Sequence, residues 1–342
     1  MTTHERELTE PVDLCTGGGR RLNPAARGWS RLPLHRANLG GRWGRTKRWD
    51  YWAILAGDLV VACTFADLDY LGTVDVWWAD LATSRTGGRS AMLPGARGIA
   101  LPDRPGSVPL RFDGRDLRLE IADDAGGTNL SATWKEKDGS PSRLEARIDL
   151  PPGHESLNVV IPWSDTTFQY TSKHQARPAR GELAIGGDVR RFGDDGDAFG
   201  VLDVGRGRWP YRSRWNWGGG AGRAAGGKRI GLQLGGKWTL GTGFTENGVI
   251  VDGRLTKIGE ELTWSYDWRR PTAPWRVTAK GGAVDLVLAP RYDKHTRVEA
   301  GLIGTEVHQL FGRWSGTVTT DEGERLSFDD LQGFAEEARW RW

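Results

Sequence analysis

The sequence predicts an all-β protein made of many short antiparallel strands in two halves. Three observations carry this reading: apolar residues that alternate with polar ones, turn dipeptides between the alternating runs, and the scarcity of helical periodicity. Leu117, Leu119 and Ile121 alternate with Arg118 and Glu120, and Leu144, Ala146 and Ile148 with Glu145, Arg147 and Asp149. Leu262, Trp264, Tyr266 and Trp268 alternate with Thr263, Ser265 and Asp267, and Val284, Leu286 and Leu288 sit two apart before Pro290. Period two with one apolar face is the pattern of a half-buried antiparallel strand. Asp113-Gly114, Asp138-Gly139, Asn247-Gly248, Asp252-Gly253 and Gly281-Gly282 punctuate these runs. Such pairs supply the positive φ angles of hairpin turns, and Asn247-Gly248 and Asp252-Gly253 are expected to close tight hairpins. The best helical candidate, Asp329 to Arg339, is weakened by Gly333.

A chain of short strands must hide its sheet edges, and barrels or packed sandwiches do so. Residues 1–48, rich in Gly, Arg and Pro, read as a leading segment that packs on the barrels. Residues 49–185 form the N-terminal β half, and 186–342 the C-terminal half with its Trp-rich loop. Within it, residues 186–227 read as an irregular Gly- and Trp-rich junction. The halves show no internal repeat.

Composition bounds the rest. Glycine, 49 of 342 residues, is about twice its usual ~7% share. A net charge of +3 supplies no global field for nucleic acid or an anionic membrane. A disordered chain, a collagen-like chain and a disulfide scaffold are excluded, and no apolar run is long enough for a membrane-spanning helix. Cys15 and Cys63 read as two free thiols. Met1 to Val12 carries Glu5, Glu7 and Glu10 without an apolar stretch, so no secretory signal is expected and a cytoplasmic location is.

Familiar motifs fail on inspection. Gly222-Arg223-Ala224-Ala225-Gly226-Gly227-Lys228 resembles a phosphate loop, but Arg229 stands where a Mg²⁺-binding hydroxyl belongs and a strand-like run follows. No GxSxG or dinucleotide-binding GxGxxG is present. The six histidines, His4, His35, His154, His174, His295 and His308, have no HxH or HExxH spacing. Neither a cofactor nor a metal is therefore expected, although a metal site assembled from distant residues stays open.

Ten of the 18 tryptophans lie after residue 205. The densest stretch, Asp203 to Trp217, holds four arginines and four aromatics. Arginine planes stack on indoles, and an indole N–H is a directional donor. This stretch reads either as a site wall or as a structural ladder sealing the junction. An aromatic-basic nucleic-acid surface is opposed by Asp194, Asp195, Asp197 and Asp203. The candidate acids, bases and proton carriers are Asp203, Glu246, His308 and Tyr211. The candidate ligand contacts are Lys173, Arg208, Trp209, Trp215, Asn216, Trp217 and Asn247. Apolar surroundings would shift the pKa of such an acid, yet every second strand residue faces outward, so each also has a solvent-face reading. Asp267 and Glu336 are left open between inside and outside.

Several blocks carry a resemblance. They are Thr171-Ser172-Lys173 with Arg177-Pro178-Ala179-Arg180-Gly181-Glu182, Asp203 to Tyr211 with Trp215-Asn216-Trp217, Thr245-Glu246-Asn247, and Gln309 to Gly316 with Gly333-Phe334-Ala335-Glu336 and Trp340. Together, over nearly the whole chain, they resemble the bacterial domain-of-unknown-function 2804 family, which brings no activity with it. Trp264-Ser265-Tyr266-Asp267 and Pro274-Trp275-Arg276-Val277 are similar to segments of the lipocalin-related double-barrel proteins, which include carotenoid hydratases and tocopherol cyclases. That similarity implies two calycin-like antiparallel barrel or sandwich halves around a Gly/Trp-rich junction, and apolar substrates.

The expectation is binding of an apolar small molecule, such as a lipid, isoprenoid or polyketide, in a Trp-lined β-barrel cavity. Two alternatives stand beside it. One is a cofactor-independent hydratase, cyclase or isomerase that uses a buried carboxylic acid. The other is a carbohydrate-binding or structural β module. No nucleic acid and no integral membrane segment are expected, and the oligomeric state is open.

Overall fold

The computed structural model describes residues 3–41 and 43–342. The protein is all-β: the one helical element among the described residues is a single 3₁₀ turn, Pro24–Ala26. Two large antiparallel sheets carry the chain. The first runs in the order Leu110–Asp113, Leu117–Asp124, Gly127–Lys135, Pro141–Asp149, Phe168–Ile185, Ala198–Arg208, Thr46–Ala56, Leu59–Asp67, Leu71–Asp80, Arg85–Pro94. Leu157–Pro162 and Asp188–Phe192 add to the long strand Phe168–Ile185. The second runs Arg254–Ile258, Asn247–Val251, Arg229–Gly236, Arg212–Arg223, Arg325–Arg341, Ile303–Thr319, Val284–Ala300, Trp275–Ala279, Leu262–Ser265. The chain passes from one sheet to the other at Trp209, Pro210 and Tyr211.

Three expectations about local structure are corrected. The stretch 186–227 is mostly regular strand, because its glycines let backbones approach rather than break the ladder. Asn247 and Gly248 lie inside a strand, where the Asn247 side chain bonds to the backbone of Gly235 and Glu260. Asp252-Gly253, by contrast, makes the tight turn with both φ angles positive. The tail forms the strand Arg325–Arg341, and Gly333 sits in it opposite Gly312 and Gly220.

Alternation sorts the core into layers. One face of the first sheet curls around Trp52, Ile54, Val61, Phe65, Val76, Leu119, Leu144, Leu202 and Val204. One face of the second curls around Leu232, Leu234, Trp275, Leu286, Leu310, Trp314 and Ala335. The opposite faces of the central strands meet each other through Ala53, Leu55, Val60, Ala62, Val201, Trp217, Phe311 and Phe334. The leading segment braces both sheets: Trp29–Ser30 pairs with Leu157–Pro162, and buried Glu5 pairs with buried Lys257 at 2.7 Å.

Close approach of the sheets depends on residues without side chains. A Cβ at Gly219 would lie 2.6 Å from the Phe334 ring and 2.8 Å from the Gln175 amide of the first sheet. Gly219→Val is expected to destabilise the fold by about 1–3 kcal/mol through overpacking. Gly187→Ala, with open space at its Cβ, should change it by less than about 0.5 kcal/mol. Urea midpoints of the two variants check this.

Candidate functional site

Strand alternation decides which groups meet. Leu202 and Val204 turn into the first sheet's own core, so Asp203 between them turns to the other face. Directly opposite residues continue that face across the sheet as a row: Lys173, Asp203, Tyr51, Thr64 and Asp75. In the second sheet Ala335 and Leu310 belong to the core, so Glu336 and Gln309 face outward. Their row reads Gly235, Trp217, Glu336, Gln309 and Lys294. The two rows lie against each other in the seam between the sheets. These two rows therefore occupy the seam, while the opposite face of the second sheet carries its apolar core together with Asn216, His308 and Glu337.

At the centre stands Lys173. Its Nζ lies 2.8 Å from Asp203 Oδ1 and 3.3 Å from Glu246 Oε2, with side-chain exposures of 6%, 11% and 2%. The same ammonium lies 4.5 Å from the centre of the Trp217 ring. Thr171 donates to Asp203 at 3.3 Å, and the Trp238 indole donates to Glu246 Oε1 at 2.6 Å. Gly235 makes room for Glu246, because a Cβ there would lie 2.1 Å from Glu246 Cγ. Gln233 accepts from Trp217 and Gln175 and donates to the Glu246 carbonyl, which ties the loop to both sheets.

Glu336 is the second buried acid. The Trp215 indole donates to its Oε1 at 2.8 Å. Burial pushes both Glu246 and Glu336 up to about 7. Lys173 opposes the rise in each, and the neighbouring Asp203 charge reinforces it. For Lys173 burial disfavours the ammonium, but Asp203 and Glu246 outweigh it and hold the ammonium charged. Burial, helped by Glu336, keeps the Tyr51 phenol neutral. At the far end Lys294 Nζ lies 4.2 Å from the Trp77 ring centre, between the influences of Asp75 and Glu336.

One end of the seam is walled by indoles. Trp209 sits among Trp49, Trp163, Trp215, Trp238 and Trp342, with ring centres 4.9 to 6.0 Å away. Its own N–H donates to Gln169 at 2.9 Å. A small recess lined by Leu59, Trp78, Arg85, Leu183, Ile185, Asp188 and Arg190 contains none of these groups.

The structure thus brings together Lys173, Asp203, Glu246, Trp215 and Trp217, with Trp209 behind Trp215. It takes the other candidates elsewhere. The Arg208 guanidinium donates to the carbonyls of Gly19, Arg20 and Gly40 and anchors the leading segment. Tyr211 is partly exposed and donates to the Leu302 carbonyl. Asn216, between Trp215 and Trp217, points to the opposite face and bonds to Tyr266 and the Glu336 carbonyl. Asn247 is spent on backbone, as above. His308 pairs across the ladder with Glu337, not Glu336, so it too lies on the far face. Asp267 is at the surface, where it bonds to Arg269 and Arg270. Tyr51, Gln233, Trp238, Asp75 and Lys294 join the seam without having been singled out. Asp75 carried a signal, a lone acid in Val74-Asp75-Val76 on a strand with both faces covered.

The fold is similar to that of kievitone hydratase from Nectria haematococca, at 10% identity and a TM-score of 0.45, over 87% of this chain and 89% of that one. It is also similar to that of CghA, at 11% identity and a TM-score of 0.45, over 87% and 88% of the two chains. No curated protein matches the sequence. The model of the family described as a domain of unknown function, DUF2804, matches residues 5–342, and the chain belongs to that family.

Proposed function

We propose that the seam binds an apolar small molecule and performs acid–base chemistry on it with the chain's own side chains. One observation carries the reading: Glu246 and Glu336 are buried near the Lys173–Asp203 pair and indole rings, which pushes both carboxyls up to about 7. A carboxyl poised near neutrality suits general acid catalysis. In the reaction class proposed, a neutral carboxylic acid gives its proton to one carbon of a double bond. The carboxylate left behind is stabilised by Lys173 for Glu246. The cation formed on the neighbouring carbon faces indole surfaces, which attract positive charge. Capture by water gives hydration, capture by an internal nucleophile gives cyclisation, and loss of a different proton to the carboxylate gives isomerisation. The proton balance closes on the same carboxyl in each case.

A second reading has its own support. Lys173 is already shared by Asp203 and Glu246, so the cluster also serves as a pin that fixes the register of the two sheets.

Native mass spectrometry of the full chain separates the two readings. The proposal expects a retained apolar molecule. Returned to wild-type protein in D₂O, that molecule should gain deuterium on carbon, and with Glu246→Gln it should not. A chain that retains no molecule, or a retained one that never exchanges, overturns the catalytic reading.

Stability against pH offers a further check. A carboxyl raised from 4.5 to about 7 in the folded state binds its proton more tightly there than in the unfolded chain. Its contribution is therefore most favourable below the unfolded value and is lost progressively as pH rises from there through about 7. Glu336→Gln removes that loss. The variant should lie within about 1 kcal/mol of wild type at pH 5 and exceed it by about 3 kcal/mol at pH 8, as measured by denaturant unfolding.

Lys173→Met leaves two buried acids without their cation. It should cost about 3–5 kcal/mol at pH 8, and less at pH 5, where Glu246 is protonated. The same unfolding measurements at the two pH values check it.

A further inference from the structure

The strands Val284–Ala300 and Ile303–Thr319 carry a second cluster on the face turned away from the seam. His295 and His308 are directly opposite each other across the ladder, and Glu306 stands two residues before His308 on the same face. The imidazoles stack with centres 4.2 Å apart. One ligand atom from each of His295, Glu306 and His308 lies within 4.8 Å of the other two. His308 is buried, Glu306 half-buried and His295 exposed.

We propose that His295, Glu306 and His308 form a binding site for a divalent transition-metal ion, zinc by preference. Two imidazoles and one carboxylate match a three-ligand zinc set with a fourth position open to solvent or a ligand. The surroundings supply what such a site requires. Asp293, two residues before His295 on the same face, holds His308 Nδ1 at 2.7 Å. That fixes the ring and leaves Nε2 for the ion, the role a carboxylate plays behind a metal-bound histidine. The other Asp293 oxygen, Oδ1, is buried without a hydrogen bond. His295 Nε2 already lies 3.3 Å from Glu306 Oε1.

Zinc–nitrogen distances of about 2.0–2.1 Å require the ligands to draw closer than 4.8 Å. The exposed His295 side chain is free to make that movement. Of the nearby cations, Arg339 lies 3.7 Å from the Trp268 ring centre and pairs with Glu337 at 2.7 Å, while Trp268 stands edge-on to His308, and Arg297, directly opposite Glu306, is exposed to solvent. The two histidines are thirteen residues apart in the chain, so no short spacing motif exposes them. The site needs the strand register to exist. It lies on the back of the strands that present Lys294 and Gln309 to the seam, and it stands independently of the function proposed there.

The test uses the full chain, stripped with a chelator and dialysed against zinc, with metal per chain as the readout. Cobalt absorption bands provide a second readout of the ligand set. The expected result is one equivalent of zinc, with affinity reduced at least about 100-fold in His295→Ala and about 10- to 100-fold in Asp293→Asn. His4→Ala, at an exposed histidine outside the cluster, should bind as wild type does. His295 is exposed, so its variant should keep the wild-type unfolding midpoint. Zinc binding that is unchanged in a His295→Ala/Glu306→Ala double variant, or absent from the wild-type chain, overturns the proposal.

Discussion

The architecture turns on one ammonium group. Lys173 is buried where two sheets meet, and its charge is tolerable only because Asp203 of the neighbouring strand and Glu246, in the loop that enters the other sheet at Asn247, lie within ion-pair distance. Each partner imposes a condition. Asp203 requires the register that sets Ala198–Arg208 against Phe168–Ile185. Glu246 requires the second sheet to dock at one height, with Gly235 bare beneath it. Trp217, Trp238 and Gln233 then close around the group with hydrogen bonds and a ring face. An unpaired charge there would cost several kcal/mol, so the cluster specifies the docking geometry more than it strengthens it.

The same burial that makes Lys173 dependent on its neighbours makes the glutamates hold their protons more tightly. Three acids, Asp203, Glu246 and Glu336, share the field of Lys173, and Lys294 acts on Glu336 as well. Burial raises Glu246 and Glu336 to about 7. This supplies proton donors next to apolar indole surfaces.

The all-β class was legible because alternation and turn dipeptides are local. Asp252-Gly253 declares its turn within four residues. The wall of the site was also legible, since Trp215 and Trp217 share a face by parity alone. What was not legible depends on pairing between distant strands. Nothing near Tyr51 or Lys294 reveals that they sit one and two ladder steps from Asp203 and Glu336 in facing rows. Arg208 misled for a related reason: its carbonyl partners belong to Gly19, Arg20 and Gly40, far away in sequence. Asn247-Gly248 has turn chemistry, yet tertiary bonds from the Asn247 side chain place it in a strand. His308 lay one residue from the correct parity, and that single step moved it to the opposite face.

The claim on which this account rests is that Glu246 and Glu336 hold their protons near neutrality in the folded chain. Carbon-13 NMR of side-chain carboxyls, followed from pH 4 to 9, measures it directly. The account requires two glutamate resonances that titrate near pH 7, one absent in Glu246→Gln and the other in Glu336→Gln. If every glutamate resonance titrates at or below about 4.5, close to the ordinary value, the seam holds no such acids and the account is wrong.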